Sequence, residues 1–225
     1  MEAGVAALRS ETRRELKVAA SLTIAEYLLP RWMVVLRGRQ SAAGESATRI
    51  GLTATNSDAV LALVRSGEVA LGFIETVTIP TDLRVRSLGF DELRLAVAPQ
   101  HRWARRNRPI TAHELARTAL ITREPGSGTR QSLEHLLLAC EGVETIVPPL
   151  VELSSTAAVR AAIAAGTAPG VLSGLALADD LALGRLRVLK VDGISLRRQL
   201  SAVWKAGKTP APGPAEELLA VALAG

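Results

Sequence analysis

Hydroxyl and amide side chains recur at four places in the chain: Ser21 to Thr23, Thr55-Asn56-Ser57, Gly126-Ser127-Gly128-Thr129 and Ser154-Ser155-Thr156. Each group sits between a stretch that reads as strand and one that reads as helix. In an open α/β sheet such junctions lie at the carboxyl ends of the strands, where ligands bind. A helix N-terminus adds unpaired N–H groups and a partial positive charge. Four of them converging would make a site for a small anion, with no metal. Ser21, Thr23, Asn56, Ser57, Ser127, Gly128, Thr129 and Ser155 are the candidate ligand contacts. Gly126 and Gly128 would let backbone approach a ligand closely. The same residue types are also the preferred helix caps. Thr23-Ile-Ala-Glu26 spells a capping box that would occupy the Thr23 hydroxyl.

Catalytic patterns are missing. His113-Glu114 is followed by Arg117 where a zinc-protease helix needs its second histidine. Ser127 lacks the GxSxG spacing of a nucleophile elbow. Neither a Walker A nor a GxGxxG phosphate loop occurs. The one cysteine, Cys140, cannot form an intrachain disulfide. It shares an apolar stripe with Leu133, Leu136 and Leu137, which predicts a buried structural thiol. No enzyme activity, cofactor or metal is expected.

The elements that must position these residues alternate. Leu16, Val18 and Ala20 mark a strand, and a 3.6-residue period from Ile24 to Arg37 marks a helix with a kink at Pro30. Ile50, Leu52 and Ala54 alternate as a strand, and Asn56-Ser57 opens a helix closing at Ser66-Gly67. The continuous apolar run Val69 to Ile74 predicts a strand buried on both faces of a parallel sheet. Further strands are expected at Leu93 to Ala98, Ala119 to Thr122, Val151 to Leu153, Gly170 to Ser173, Leu186 to Val191 and Leu200 to Trp204. Helices are expected at Thr129 to Cys140, Thr156 to Ala165, Leu175 to Leu183 and Ala215 to Ala224. Thr111 to Glu114 spells a capping box for a short one. The pattern is α/β: two Rossmann-like lobes of roughly 80 to 100 residues each. No Gly/Ser-rich linker separates them, so strands near 93–98 and 200–204 must cross between lobes as a hinge. The parse is 15–96 with 205–225 as lobe 1 and 97–204 as lobe 2, after a polar helix at Glu2 to Arg14.

The balance of 48% apolar and 22% charged residues in 225 fits an ordinary globular protein. No apolar run approaches the roughly 18 residues needed to cross a bilayer. The opening lacks a secretory h-region, so no membrane contact and a cytoplasmic location are expected. The net charge of +5 gathers most densely at His101 to Pro109. That run can touch phosphates, and it also reads as a solvated turn before a helix.

The ordered motifs resemble a known family. LKVAASLTIAEYLLP over Leu16–Pro30 is similar to the opening of the effector-binding domain of LysR-type transcriptional regulators. So are NSDAV from Asn56, LVRSGEVALGF from Leu63, ELRLAVAP from Glu92, EPGSGTR from Glu124, TAAVR from Thr156 and AGTAPGVLS from Ala165. The resemblance covers residues 15–205. It implies a bilobal fold like type 2 periplasmic solute-binding proteins and a small anionic effector in the interlobe cleft. Ser21, Thr23, Ser57, Ser127 and Thr129 fall on the family's effector-contact positions, with Asn56 and Ser155 beside them. The resemblance also implies a homodimer or tetramer, with DNA bound only through an N-terminal winged helix-turn-helix that is missing here. The chain is then expected to be an excised effector domain, or an unusual natural protein without that part, with Glu2 to Arg14 the tail of the linker helix. The alternatives are a transporter's solute-binding protein and a prephenate-dehydratase-like enzyme on a similar fold. Glu75 would repel an anion unless Arg130 or Arg123 offsets it. The helix from Ile24 to Arg37 carries apolar residues on more than one face: Leu29 and Trp32 on one side, Met33, Val34 and Leu36 spreading to others. That surplus predicts an exposed patch and a dimer.

Overall fold

The computed structural model describes residues 14–205, 207 and 209–225. The expected helix at Glu2 to Arg14 lies outside these, apart from Arg14, which is not helical. Eleven strands are found among the described residues: β1 (Glu15–Ser21), β2 (Arg49–Thr55), β3 (Leu71–Thr76), β4 (Arg84–Val97), β5 (Ile110–Thr111), β6 (Ile121–Arg123), β7 (Val151–Leu153), β8 (Gly170–Ser173), β9 (Arg187–Leu189), β10 (Val191–Asp192) and β11 (Arg197–Trp204). The α-helices are α1 (Leu29–Ala42), α2 (Ser57–Ser66), α3 (Ala112–Ala116), α4 (Gly128–Leu138), α5 (Thr156–Ala164), α6 (Gly174–Ala182) and α7 (Pro214–Ala222).

The main sheet runs β2-β1-β3-β11-β4-β8-β6-β7, and β9 also pairs with β4. β1 is parallel to β2 and β3, while β11 runs antiparallel between β3 and β4. The first part of β4, Arg84 to Glu92, pairs with β11; the last part, Leu93 to Val97, pairs with β8 and β9. One strand thus belongs to both halves of the sheet. Leu93 N–H donates to the Leu196 carbonyl at 2.8 Å, which carries the β4–β11 pairing to the point of transfer.

Each half buries both faces of its sheet. Leu16, Val18, Ala20 and Phe73 pack under α1 and α7, while Ala19, Ile74 and Val203 pack under α2. In the other half Leu93, Leu95 and Val97 pack against α3 and α4, while Ala96, Ile121 and Leu172 pack against α5 and α6. β3 is buried at all six positions; it begins two residues into the apolar run and ends in the buried polar pair Glu75-Thr76. β2 differs from its alternating pattern: it is the edge strand, and Leu52 is exposed.

The helix predicted from Ile24 is in two pieces. A π-helical turn spans Ile24–Leu28, and α1 follows with Pro30 in its first turn. Proline lacks an N–H and its ring crowds the carbonyl four residues back, so the interruption falls just before it. Leu36 is buried with Leu29 and Trp32, so it leaves the expected outward set and Val35 joins it; Met33, Val34 and Val35 are exposed. The strand expected at Leu186 to Val191 is divided into β9 and β10, and β10 pairs with β5, a strand the pattern did not suggest. The Thr111 capping box forms with both reciprocal bonds. Cys140 is half-buried rather than buried, with its thiol donating to the Leu136 carbonyl at 3.4 Å.

Candidate functional site

The four junctions lie where β1, β2, β6 and β7 end. Their side chains do different work. Asn56 and Ser155 have extended backbones and cap their own helices, accepting from Ala59 N–H and Ala158 N–H respectively. Thr23 does not cap. Its backbone is already helical (φ −60°, ψ −45°), so the hydroxyl cannot reach forward and the expected capping box does not form. Ser127 has a cap-like backbone but its hydroxyl makes no cap bond. Thr129 lies in the first turn of α4.

Arg198 explains where the Thr23 and Thr129 oxygens go. It is the largest fully buried side chain, at 1% exposure on β11. Its Nη1 donates to Thr129 Oγ1 at 2.8 Å and its Nη2 to Thr23 Oγ1 at 3.2 Å. Nε and Nη2 both donate to Asp91 Oδ2, at 2.9 and 2.7 Å. Nη1 also stands 2.7 Å from Glu75 Oε2. Asp91 is braced by Ser173 Oγ at 2.9 Å, and Glu75 Oε1 accepts from Ser21 Oγ at 2.9 Å. One guanidinium therefore joins β3, β4, β11, α4 and the turn after β1 at the point where the two halves of the sheet meet. It also corrects the expectation for Glu75: Arg198 is its partner. Arg123 is bound to Glu124, and Arg130 to Glu134 and Glu152.

The halves touch directly around this centre. Within the first half, Ser57 Oγ donates to the Glu75 carbonyl at 3.1 Å. A Cβ added at Gly128 would overlap that same carbonyl oxygen and stand 2.6 Å from Ser57 Oγ, so only glycine permits this approach. Asp58 N–H donates to the Gly126 carbonyl at 3.2 Å, and Gln131 Nε2 to Asp58 Oδ2 at 2.9 Å. Asn56 Nδ2 donates to Glu124 Oε1 at 3.2 Å. On the far side Arg160 Nη1 reaches Tyr27 Oη at 3.1 Å. Burial pushes Glu124 up, but hydrogen bonds from Arg123 and Asn56 with the Arg123 charge outweigh it and hold the carboxyl below its ordinary value. Burial pushes the Tyr27 phenol up, against the charge of Arg160.

Of the candidates, Ser21, Thr23, Ser57, Gly128 and Thr129 are brought around Glu75 and Arg198. Asn56 joins through Glu124. Ser155 stays on its own helix, linked to the rest through Thr156, whose Oγ1 accepts from Arg123 Nη1 at 3.1 Å. The sequence reading missed Arg198 and Asp91, yet a signal was available. Arg198 is in phase with buried Leu200 on β11 and with buried Leu196 just before it, and Asp91 with buried Leu93 and Leu95 on β4. A charge in the apolar phase of a strand needs a buried partner.

A bilobal α/β fold of this kind, with junctions converging on one buried centre, defines a type 2 periplasmic-binding-protein-like domain. Comparison with known proteins fixes the family. Residues 9–224 match the LysR substrate binding domain. The HTH-type transcriptional regulator Rv2282c of Mycobacterium tuberculosis is 48% identical over 220 residues, which is 97% of this chain and 70% of that protein. The CcmR regulatory domain of Synechocystis PCC6803, solved in complex with 2-PG, superposes with a TM-score of 0.78 at 24% identity, covering 93% of this chain and 96% of that one. The effector binding domain of QuiR in complex with shikimate gives 0.78 at 14% identity over 95% and 97%. The chain belongs to the LysR-type transcriptional regulators and is their effector-binding domain. The kinship with regulators sets aside the alternative of a transporter's solute-binding protein. No helix among the described residues is long and apolar enough to cross a membrane.

Proposed function

We propose that this domain senses a small anionic effector between its lobes and performs no catalysis. The reading takes 15–96 with 205–225 as one lobe and 97–204 as the other, with β4 and β11 as the hinge strands. The observation that carries it is the pair Thr23 and Thr129. They come from opposite lobes, neither caps a helix, and both accept from one guanidinium, which leaves each O–H to donate to a ligand. Ser127, with no cap bond, and the first turns at Leu22 and Gly128 offer further donors from both lobes. Similar domains have been solved with 2-PG and with shikimate, so the fold accommodates small ligands of this size. An effector with different affinity for open and closed lobes would shift the population between them. Calorimetric titration with sulfate, sulfite, phosphate and sugar phosphates tests the reading. Ser127→Ala or Thr129→Ala should weaken the best anion about tenfold, since a bond to a charged group contributes roughly 1.5–3 kcal/mol. Variants that bind as tightly as the parent, or an uncharged best ligand, would overturn it.

The same reading includes self-association. Val34 is 72% exposed, Met33 and Val35 are exposed on the same helix α1, and Leu52 is exposed on the edge strand β2. Exposed apolar side chains gathered on one helix mark an interface. Light scattering at tens of micromolar should give a dimer mass, and a sharp monomer would refute it.

A further inference from the structure

Two carboxylates, Glu75 and Asp91, share the single guanidinium of Arg198, and all three are buried. Asp91 alone is sufficient as the counterion. It takes Nε and Nη2 side-on and is held in place by Ser173 Oγ. Glu75 therefore adds a negative charge that Arg198 is not needed to neutralise, in a place where unpaired charge is costly. What offsets it is the machinery an anion would use: the Ser21 hydroxyl on one carboxylate oxygen and Arg198 Nη1 on the other.

We propose that the Glu75 carboxylate is a tethered occupant of the anion subsite, so that effector binding competes with a side chain of the domain itself. This rests on the anion-cleft reading above. The backbone of Glu75 is pinned, because Ser57 Oγ donates to its carbonyl and accepts from its N–H at 3.4 Å. Gly128 closes against the same carbonyl. Displacement is then a rotation of the Glu75 side chain, with the strand end and the lobe contact left in place. The tethered carboxylate also sets specificity. An anion must offer Ser21 and Arg198 more than Glu75 does, which favours a dianionic oxyanion over a monocarboxylate.

The test uses the whole domain with sulfate and formate as probes, at constant ionic strength against chloride. Glu75→Gln keeps the shape and removes the charge, so it should bind sulfate at least tenfold more tightly than the parent by calorimetry. Glu75→Ala removes the occupant, and formate should raise its melting temperature saturably while leaving the parent's almost unmoved. Glu75→Gln carries the test if the alanine variant does not fold. Sulfate binding equal in parent and both variants, with no formate response in Glu75→Ala, overturns the tethered occupant and leaves the anion cleft standing. Failure of both probes on parent and variants alike overturns the anion cleft, and this inference with it.

Discussion

Asn56 and Ser155 on one side, and Thr23, Ser127 and Thr129 on the other, are drawn from the same short list of polar residues at the same kind of junction. Asn56 (φ −86°, ψ 166°) and Ser155 (φ −138°, ψ 147°) turn back onto the first turns of their own helices. Thr23 and Thr129 lie inside the first turn and hand their oxygens to Arg198, a residue far along the chain. The first pair serves local structure and the second serves the meeting of the two lobes. A hydroxyl that caps is already satisfied. One that accepts from a buried cation keeps its proton for a ligand.

The difference can be broken most violently at Arg198. Arg198→Met would leave Glu75 and Asp91 buried without a cation, at a cost of about 3–5 kcal/mol. Urea unfolding should show that loss, and a change below about 1 kcal/mol would mean the network is not a structural centre. Gly128→Ala comes next. Its methyl meets the Glu75 carbonyl, and overpacking of this kind costs about 1–3 kcal/mol. The lobes should part, seen as a larger radius of gyration by small-angle scattering, with weaker sulfate binding. Unchanged dimensions and affinity would remove the close approach from the argument.

A sharper contrast compares two serines. Ser155→Ala should lower stability by about 1 kcal/mol, the usual cost of losing a cap, with sulfate affinity unchanged. Ser127→Ala should do the opposite, leaving the melting temperature nearly unmoved while affinity falls. Equal effects on both properties would erase the distinction. The smallest effect concerns pH. Glu124 is held below its ordinary value by Arg123 and Asn56 in spite of burial. A depressed carboxylate contributes stability above its unfolded pKa and loses it as pH falls through the folded value. The parent should therefore lose slightly more stability than Glu124→Gln between neutral and acid pH in paired urea titrations.

Much of the fold was legible because it depends on local pattern. The apolar run from Val69 to Ile74 points to a doubly buried strand, found two residues later at Leu71–Thr76, and Asn56 with Gly67 closing at φ +82° brackets a helix. Thr111 and Glu114 are three residues apart, so their capping box needed nothing from elsewhere. The Thr23 box had the same spelling and failed, because the backbone entering from β1 is already helical at Thr23. Spelling specifies which bonds are available; the path of the chain selects among them.

The sequence by itself determined the alternation of strands and helices and the polar residues at the four junctions. These follow from side-chain periodicity and from the preference of Ser, Thr and Asn for helix starts, which act over a few residues. Only the tertiary structure decided which of those polar groups serve a ligand site. Arg198 lies 175 positions from Thr23, 107 from Asp91 and 69 from Thr129. Bonds between residues so far apart arise only after β4 and β11 bring the two halves of the sheet together. Burial then makes the pairing compulsory, since a guanidinium removed from water must find its acceptors within the fold.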